Sequence, residues 1–221
     1  MARFWTDAYQ QHFQKYFQKP FDIQVYHDPD GSALKLATHD WARQGFRVLA
    51  SMGLADKLVR NDEADFGEVI LFCDVPDKEV PQLFVNSLFF ILQHDIPLSS
   101  RFAIGFGAMA DAFTRRHGKS ALYFTRPAER SIAFSELHQD QAVGKVYQAF
   151  FIAPAEDKYL DDEGPDAFEQ KFWPQFGSGL TPEEQCELAV DKRRAQELQV
   201  RQAALWRESN KALSVRRTSC V

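Results

Sequence analysis

From Phe46 to Asp56 the chain reads Phe-Arg-Val-Leu-Ala-Ser-Met-Gly-Leu-Ala-Asp. A β-compatible run that ends at a glycine predicts a strand whose chain turns sharply at Gly53, because glycine alone enters positive φ without steric cost. A second run, Gly67-Glu68-Val69-Ile70-Leu71-Phe72-Cys73, is apolar in both phases of the strand alternation after Glu68, which marks a buried strand. A third, Val146 to Ile152, runs into Pro154, which suits the first turn of a helix.

Around them the periodicity changes. Trp5, Tyr9, Phe13 and Phe17 recur every fourth residue, with Tyr16 beside them, and predict an amphipathic helix over residues 3–18 that Pro20 ends. Phe21, Ile23 and Val25 alternate with polar residues and predict a strand closed by Asp28-Pro29-Asp30-Gly31. Leu34 and Leu36 predict another. Val80, Leu83, Phe84, Ser87, Leu88, Ile91 and Leu92 have helical spacing up to Pro97. Residues 121–125 and 131–134 are short strand candidates joined by Arg126-Pro127-Ala128-Glu129-Arg130. The expected fold class is α+β: a mixed, largely antiparallel sheet with packed helices, plus a C-terminal helical extension. The expected division is residues 1–176 for the sheet domain and 180–221 for the extension, with Gly177-Ser178-Gly179 as hinge and Thr181-Pro182-Glu183-Glu184 as helix start. Of the 221 residues 45 % are apolar and 20 are Phe, ample for a packed core.

The formal charge of −5 is mild, but it is unevenly spread. Residues 155–169 hold seven acids (Glu156, Asp157, Asp161, Asp162, Glu163, Asp166, Glu169) against Lys158, whereas residues 192–217 hold eight bases against two acids. No general nucleic-acid binding is expected from this balance. Cys73, Cys186 and Cys220 form no C-x-x-C motif and read as reduced thiols of a cytoplasmic protein. The N-terminus lacks a signal peptide's apolar stretch, and no run is long enough for a membrane helix.

No catalytic motif stands out. His39-Asp40 and His94-Asp95 set an imidazole beside a carboxylate, but sequence neighbours point in different directions and make poor acid–base pairs. Glu136 and His138 share a strand face, too few ligands for a metal site. Gly105-x-Gly107 lacks the third glycine of a dinucleotide fingerprint and reads as a loop with close backbone packing. Cys73 reads as an inert core thiol and Cys220 as an exposed one without function. No cofactor or metal is expected.

The order of blocks resembles the suppressor-of-fused domain family. Its Thr-Ser-Gly-Met-Ser-like turn is similar to Ser51-Met52-Gly53-Leu54-Ala55, where the glycine is kept and Ala55 replaces the usual hydroxyl residue. Its next strand resembles Glu68-Val69-Ile70-Leu71 followed by Pro76; its helix and glycine-bearing connection resemble residues 79–94 and 105–107; its last block resembles Ile152-Ala153-Pro154-Ala155-Glu156. The resemblance spans residues 20–175 and implies a protein-binding module rather than a catalyst. Stand-alone bacterial members look like immunity proteins, which bind and neutralise a cognate toxin domain. The expected partner is therefore a protein, with a basic toxin domain as the leading candidate, and Asp157, Tyr159, Asp161, Asp162 and Glu163 as the contact residues. A regulatory adaptor for a cellular protein and an uncharacterised hydrolase or transferase are the alternatives.

Overall fold

The aromatic stripe near the N-terminus forms a helix because its four members fall on one face, and all four are buried. This helix, α1 (Trp5–Phe17), buries Trp5, Tyr9, Phe13 and Phe17 and ends before Pro20. The computed structural model describes residues 5–41, 46–58, 66–73, 77–127, 132–139 and 142–172. The expected hinge at 177–179, the helical extension at 180–221 and the domain boundary between them lie outside the described residues.

After α1 the chain makes β1 (Asp22–His27), β2 (Ala33–Trp41), β3 (Phe46–Met52), α2 (Leu54–Leu58) and β4 (Gly67–Cys73). It continues through α3 (Glu79–Gln93), β5 (Phe102–Gly105), α4 (Asp111–His117), β6 (Ala121–Thr125), α5 (Ile132–Ser135), β7 (Glu136–Gln139), β8 (Ala142–Ile152) and α6 (Pro154–Phe172). The described strands form one eight-stranded sheet in the order β1-β2-β3-β4-β8-β6-β5, with β7 also paired to β8. Only β4 and β8 run parallel; the other pairings are antiparallel. This is the mixed, largely antiparallel α+β architecture that the patterning predicts.

Strand parity divides the core. Val69, Leu71 and Cys73 of β4, with Tyr147, Ala149 and Phe151 of β8, face Val80, Phe84, Leu88 and Ile91 of α3 and Phe113 of α4. The alternate residues Ile70, Phe72 and Val146 face the aromatic row of α1, and Phe150 and Ile152 face Leu160, Phe168 and Phe172 of α6. Every residue of β4 is buried, as expected for a central strand covered on both sides.

Gly144 of β8 shows how closely α1 approaches the sheet. The Tyr9 hydroxyl donates to the Lys145 carbonyl at 2.8 Å, and a Cβ at position 144 would overlap that hydroxyl and crowd the Trp5 ring.

Two local expectations are corrected. Residues 131–134 do not give a strand: Ile132–Ser135 is the short helix α5. A four-residue apolar run has no periodicity to separate the two states, and α1 decides it. His12 Nε2 donates to the Phe134 carbonyl at 2.8 Å, and the Tyr16 hydroxyl to the Ala133 carbonyl at 2.8 Å, so helix-end carbonyls find donors outside the helix. Gly105-x-Gly107 is not a site of close packing either. Gly105 ends a strand, and a Cβ at either glycine would meet open space.

Gly144→Val should lower the free energy of unfolding by about 2–3 kcal/mol through overpacking, and Tyr9→Phe by about 1 kcal/mol through one lost hydrogen bond. Urea denaturation followed by circular dichroism measures both; equal effects would contradict the steric account.

Candidate partner-binding surface

The acidic segment folds as α6, and the structure divides its carboxylates into two groups. Glu156 is buried: its Oε2 accepts the Ala153 N–H at 2.8 Å and lies 3.6 Å from Lys119 Nζ, itself buried. It therefore caps the first turn from within the core. Beyond Gly164, whose φ of 83° breaks the helix, Asp166 and Glu169 are held by Arg101 at 2.6 and 3.1 Å. Glu169 Oε1 also accepts the Tyr123 and Thr125 hydroxyls at 2.7 and 2.8 Å. Three of the seven acids counted as one run thus serve the fold. The count overstates the charge offered to a partner.

The predicted contact residues occupy the turns before that break. Asp161, Asp162 and Glu163 are exposed, and Asp157 and Tyr159 are half-buried. Asp162 pairs with Lys158 at 3.0 Å one helical turn away. Among the described residues Asp157, Asp161 and Glu163 have no ion-pair partner. Burial, and then the charge of Asp161 one turn on, pushes the Asp157 carboxyl above its ordinary value. Two like charges four residues apart repel across one helix face. Tyr159 packs edge-on against Phe172 at 5.3 Å and carries Lys171 Nζ 4.2 Å from its ring centroid. One side of this ring is therefore already occupied.

The imidazoles singled out in the sequence are not brought together. His39 is buried with Nδ1 3.0 Å from the Gln18 carbonyl, and burial lowers its pKa. His94 ends α3 and rests on the Phe90 ring at 4.2 Å. His138 lies 3.4 Å from Glu136, an exposed pair sharing a strand face as predicted. Among the described residues no three His, Cys, Asp or Glu side chains gather as a metal cage. Cys73 is buried at the end of β4.

Sequence reasoning missed two polar centres. Asp77 lies 2.8 Å from His117 Nε2 and 3.2 Å from Arg116, and accepts the Glu79 N–H at 2.9 Å. Partial burial works against the charge, but these donors hold its carboxyl below the usual range. It ties the C-terminal end of α4 to the first turn of α3. Asp77 also borders a shallow cleft of about 110 Å³ lined by Phe21, Arg47, Leu49, Cys73 and Val80.

The second is Glu68, the acid in the apolar run of β4. Its carboxylate accepts the Ser51 hydroxyl at 2.6 Å and the N–H groups of Gly53 at 2.8 Å, Ala55 at 3.1 Å and Leu54 at 3.3 Å. Ser51 Oγ in turn accepts the Val69 N–H at 2.8 Å. The turn needs Gly53, whose φ is +97°. Complete burial outweighs these donors and pushes the Glu68 carboxyl up to about 7. A buried acid in a strand is the signal that could have found this centre, since such a group needs several donors close by.

No protein-family model and no curated protein matches this chain. Solved structures do. A suppressor-of-fused protein homologue from Neisseria gonorrhoeae superposes with a TM-score of 0.58 at 11 % identity, covering 80 % of this chain and 91 % of that one. The Sufu–Fu complex superposes with a TM-score of 0.50 at 11 % identity, covering 84 % of this chain and 96 % of the other. The fold is that of the suppressor-of-fused domain. The Gly53 turn, which carries the sequence resemblance, is the part of this suppressor-of-fused fold clasped by Glu68. Where Ala55 lacks a hydroxyl for a cap, Glu68 accepts the Ala55 N–H from the neighbouring strand.

The Glu68 carboxyl has a folded pKa of about 7 against an ordinary 4.5, so the folded state binds the extra proton between those values. Its contribution to stability is complete below pH 4.5 and is lost as pH rises through about 7, a change on the order of 3 kcal/mol. Glu68→Gln removes this titration. Unfolding free energies of both proteins at pH 5 and pH 8 should show a wild-type advantage that shrinks toward the higher pH; a constant difference would contradict the buried-acid account.

Proposed function

We propose that this protein acts by stoichiometric protein binding, as an immunity protein that neutralises a basic bacterial toxin domain through the acidic face of α6. One observation carries the reading. Asp157 and Asp161, one turn apart on one face of α6 before the Gly164 break, have no ion-pair partner among the described residues, although Glu156, Asp166 and Glu169 of the same helix are paired within the chain. A protein partner presenting lysines or arginines would relieve the repulsion between Asp157 and Asp161, and the uncompensated field would speed its approach. Nuclease toxins carry such a basic surface because they must hold phosphate. The likeness to the Sufu–Fu complex supports the broader part of the reading, a fold used as a protein-binding module.

A regulatory adaptor that binds a cellular protein would use the same face. A neighbouring gene encoding a basic toxin domain, and a complex between the two products, separates the readings. With such a partner, the double variant Asp161→Lys/Asp162→Lys should slow association at low salt by about tenfold or more and flatten its salt dependence. Stopped-flow mixing at two ionic strengths measures this; an unchanged association rate would remove α6 from the interface.

A further inference from the structure

The predicted alternation Phe21, Ile23, Val25 does form a strand, but it does not face the core. Ile23 and Val25 are 42 % and 52 % exposed, and Phe21, just before β1, is 53 % exposed with Arg47 lying 5.3 Å from its ring centroid. Register explains the exposure. Ile23 lies opposite Ala37 and Val25 opposite Lys35, on the face that α1 covers further along the sheet. β1 is the edge strand, paired among the described residues only to β2. Its other side chains satisfy one another: Tyr26 donates to Gln24 at 2.7 Å and Gln24 to Asp22 at 2.7 Å.

The free edge has a definite hydrogen-bonding phase. Asp28 N–H donates to the Ser32 carbonyl at 3.0 Å. Stepping back by twos along the antiparallel ladder, residues 26, 24 and 22 also turn their backbone groups toward β2. The N–H and C=O groups of Ile23, Val25 and His27 therefore point outward. Asp22–His27 holds no proline or lysine, which often protect an edge from strand pairing, and its register with β2 runs unbroken.

The charges flanking the strand name the occupant. Lys19 precedes β1, and Asp28 and Asp30 follow it. A second copy laid antiparallel brings Lys19 of each chain to the Asp28 and Asp30 end of the other, whereas a parallel copy sets like charge against like. With Gln24 opposite the Gln24 of the second copy, Ile23 meets Val25 in two symmetric apolar pairs, both from outward-facing positions. We propose that β1 is a self-complementary edge through which two copies of this chain pair antiparallel, extending two sheets into one across a two-fold axis. Such an interface is isologous and closes at the dimer. The α6 surface packs on β6 and β8, at the other end of the sheet, and stays open in this dimer. The inference is thus independent of any toxin.

A single strand pair makes a small interface, and interfaces below about 1,200 Å² associate weakly. Sedimentation velocity on the full chain, from low micromolar to several hundred micromolar, should show a reversible monomer–dimer equilibrium. Val25→Lys should leave only monomer across that range with an unchanged melting temperature. Asp28→Lys/Asp30→Lys should weaken the dimer at least tenfold, and adding Lys19→Asp to that pair should restore it. A wild-type protein that stays monomeric throughout, or a dimer indifferent to Val25→Lys, would overturn the proposal.

Discussion

One buried carboxylate organises the start of this fold. Glu68, on the central strand β4, collects the Ser51 hydroxyl and three successive N–H groups at the Gly53 turn. That turn starts α2, and Asp56 of α2 accepts the Trp5 N–H at 2.7 Å and the Thr6 N–H at 3.1 Å, as well as the Thr6 hydroxyl. The first turn of α1 is thereby tied to the sheet, and its aromatic row is set over Ile70, Phe72 and Val146. A strand acid thus caps one helix, and that helix caps the next. Buried polar groups are costly unless every lone pair is used. Here donors that would otherwise be orphaned at the start of α2 reduce that cost without cancelling it.

The same logic sorts the charges of α6. Glu156 and Glu169 accept hydrogen bonds from buried backbone and hydroxyl donors, and Arg101 bridges Glu169 to Asp166 at the surface. Asp157, Asp161 and Glu163 have no such duty. Charge density in a sequence window does not distinguish the two groups, because what separates them is the position of Lys119 and Arg101, distant in the chain. The tertiary fold of this chain supplies those positions.

Much of the fold was legible in advance. The i, i+4 aromatic spacing of α1, the two-phase apolar run of β4, the helical spacing of α3 and the Pro154 start of α6 each encode their element locally, since periodicity reports how many faces are buried. Short segments and sheet edges are where local pattern says least. Ile132–Ser135 was too short for a period to show, and donors from α1 settled it as helix. The alternation in β1 marks a strand, yet alternation does not say which face meets the core. At the sheet's edge it is the apolar face that lies open.

Of the candidate surface, the residue identities and their helix were readable, and the division of labour among them was not. By itself the sequence determined the elements and the apolar content of the core, because propensity and periodicity act between residues a few positions apart. Only the tertiary structure decided which acids are consumed, which imidazoles stay apart and which strand lies at the edge. Those outcomes depend on contacts between residues tens of positions distant, such as Glu68 with Ser51 and Arg101 with Glu169, and no local pattern carries them.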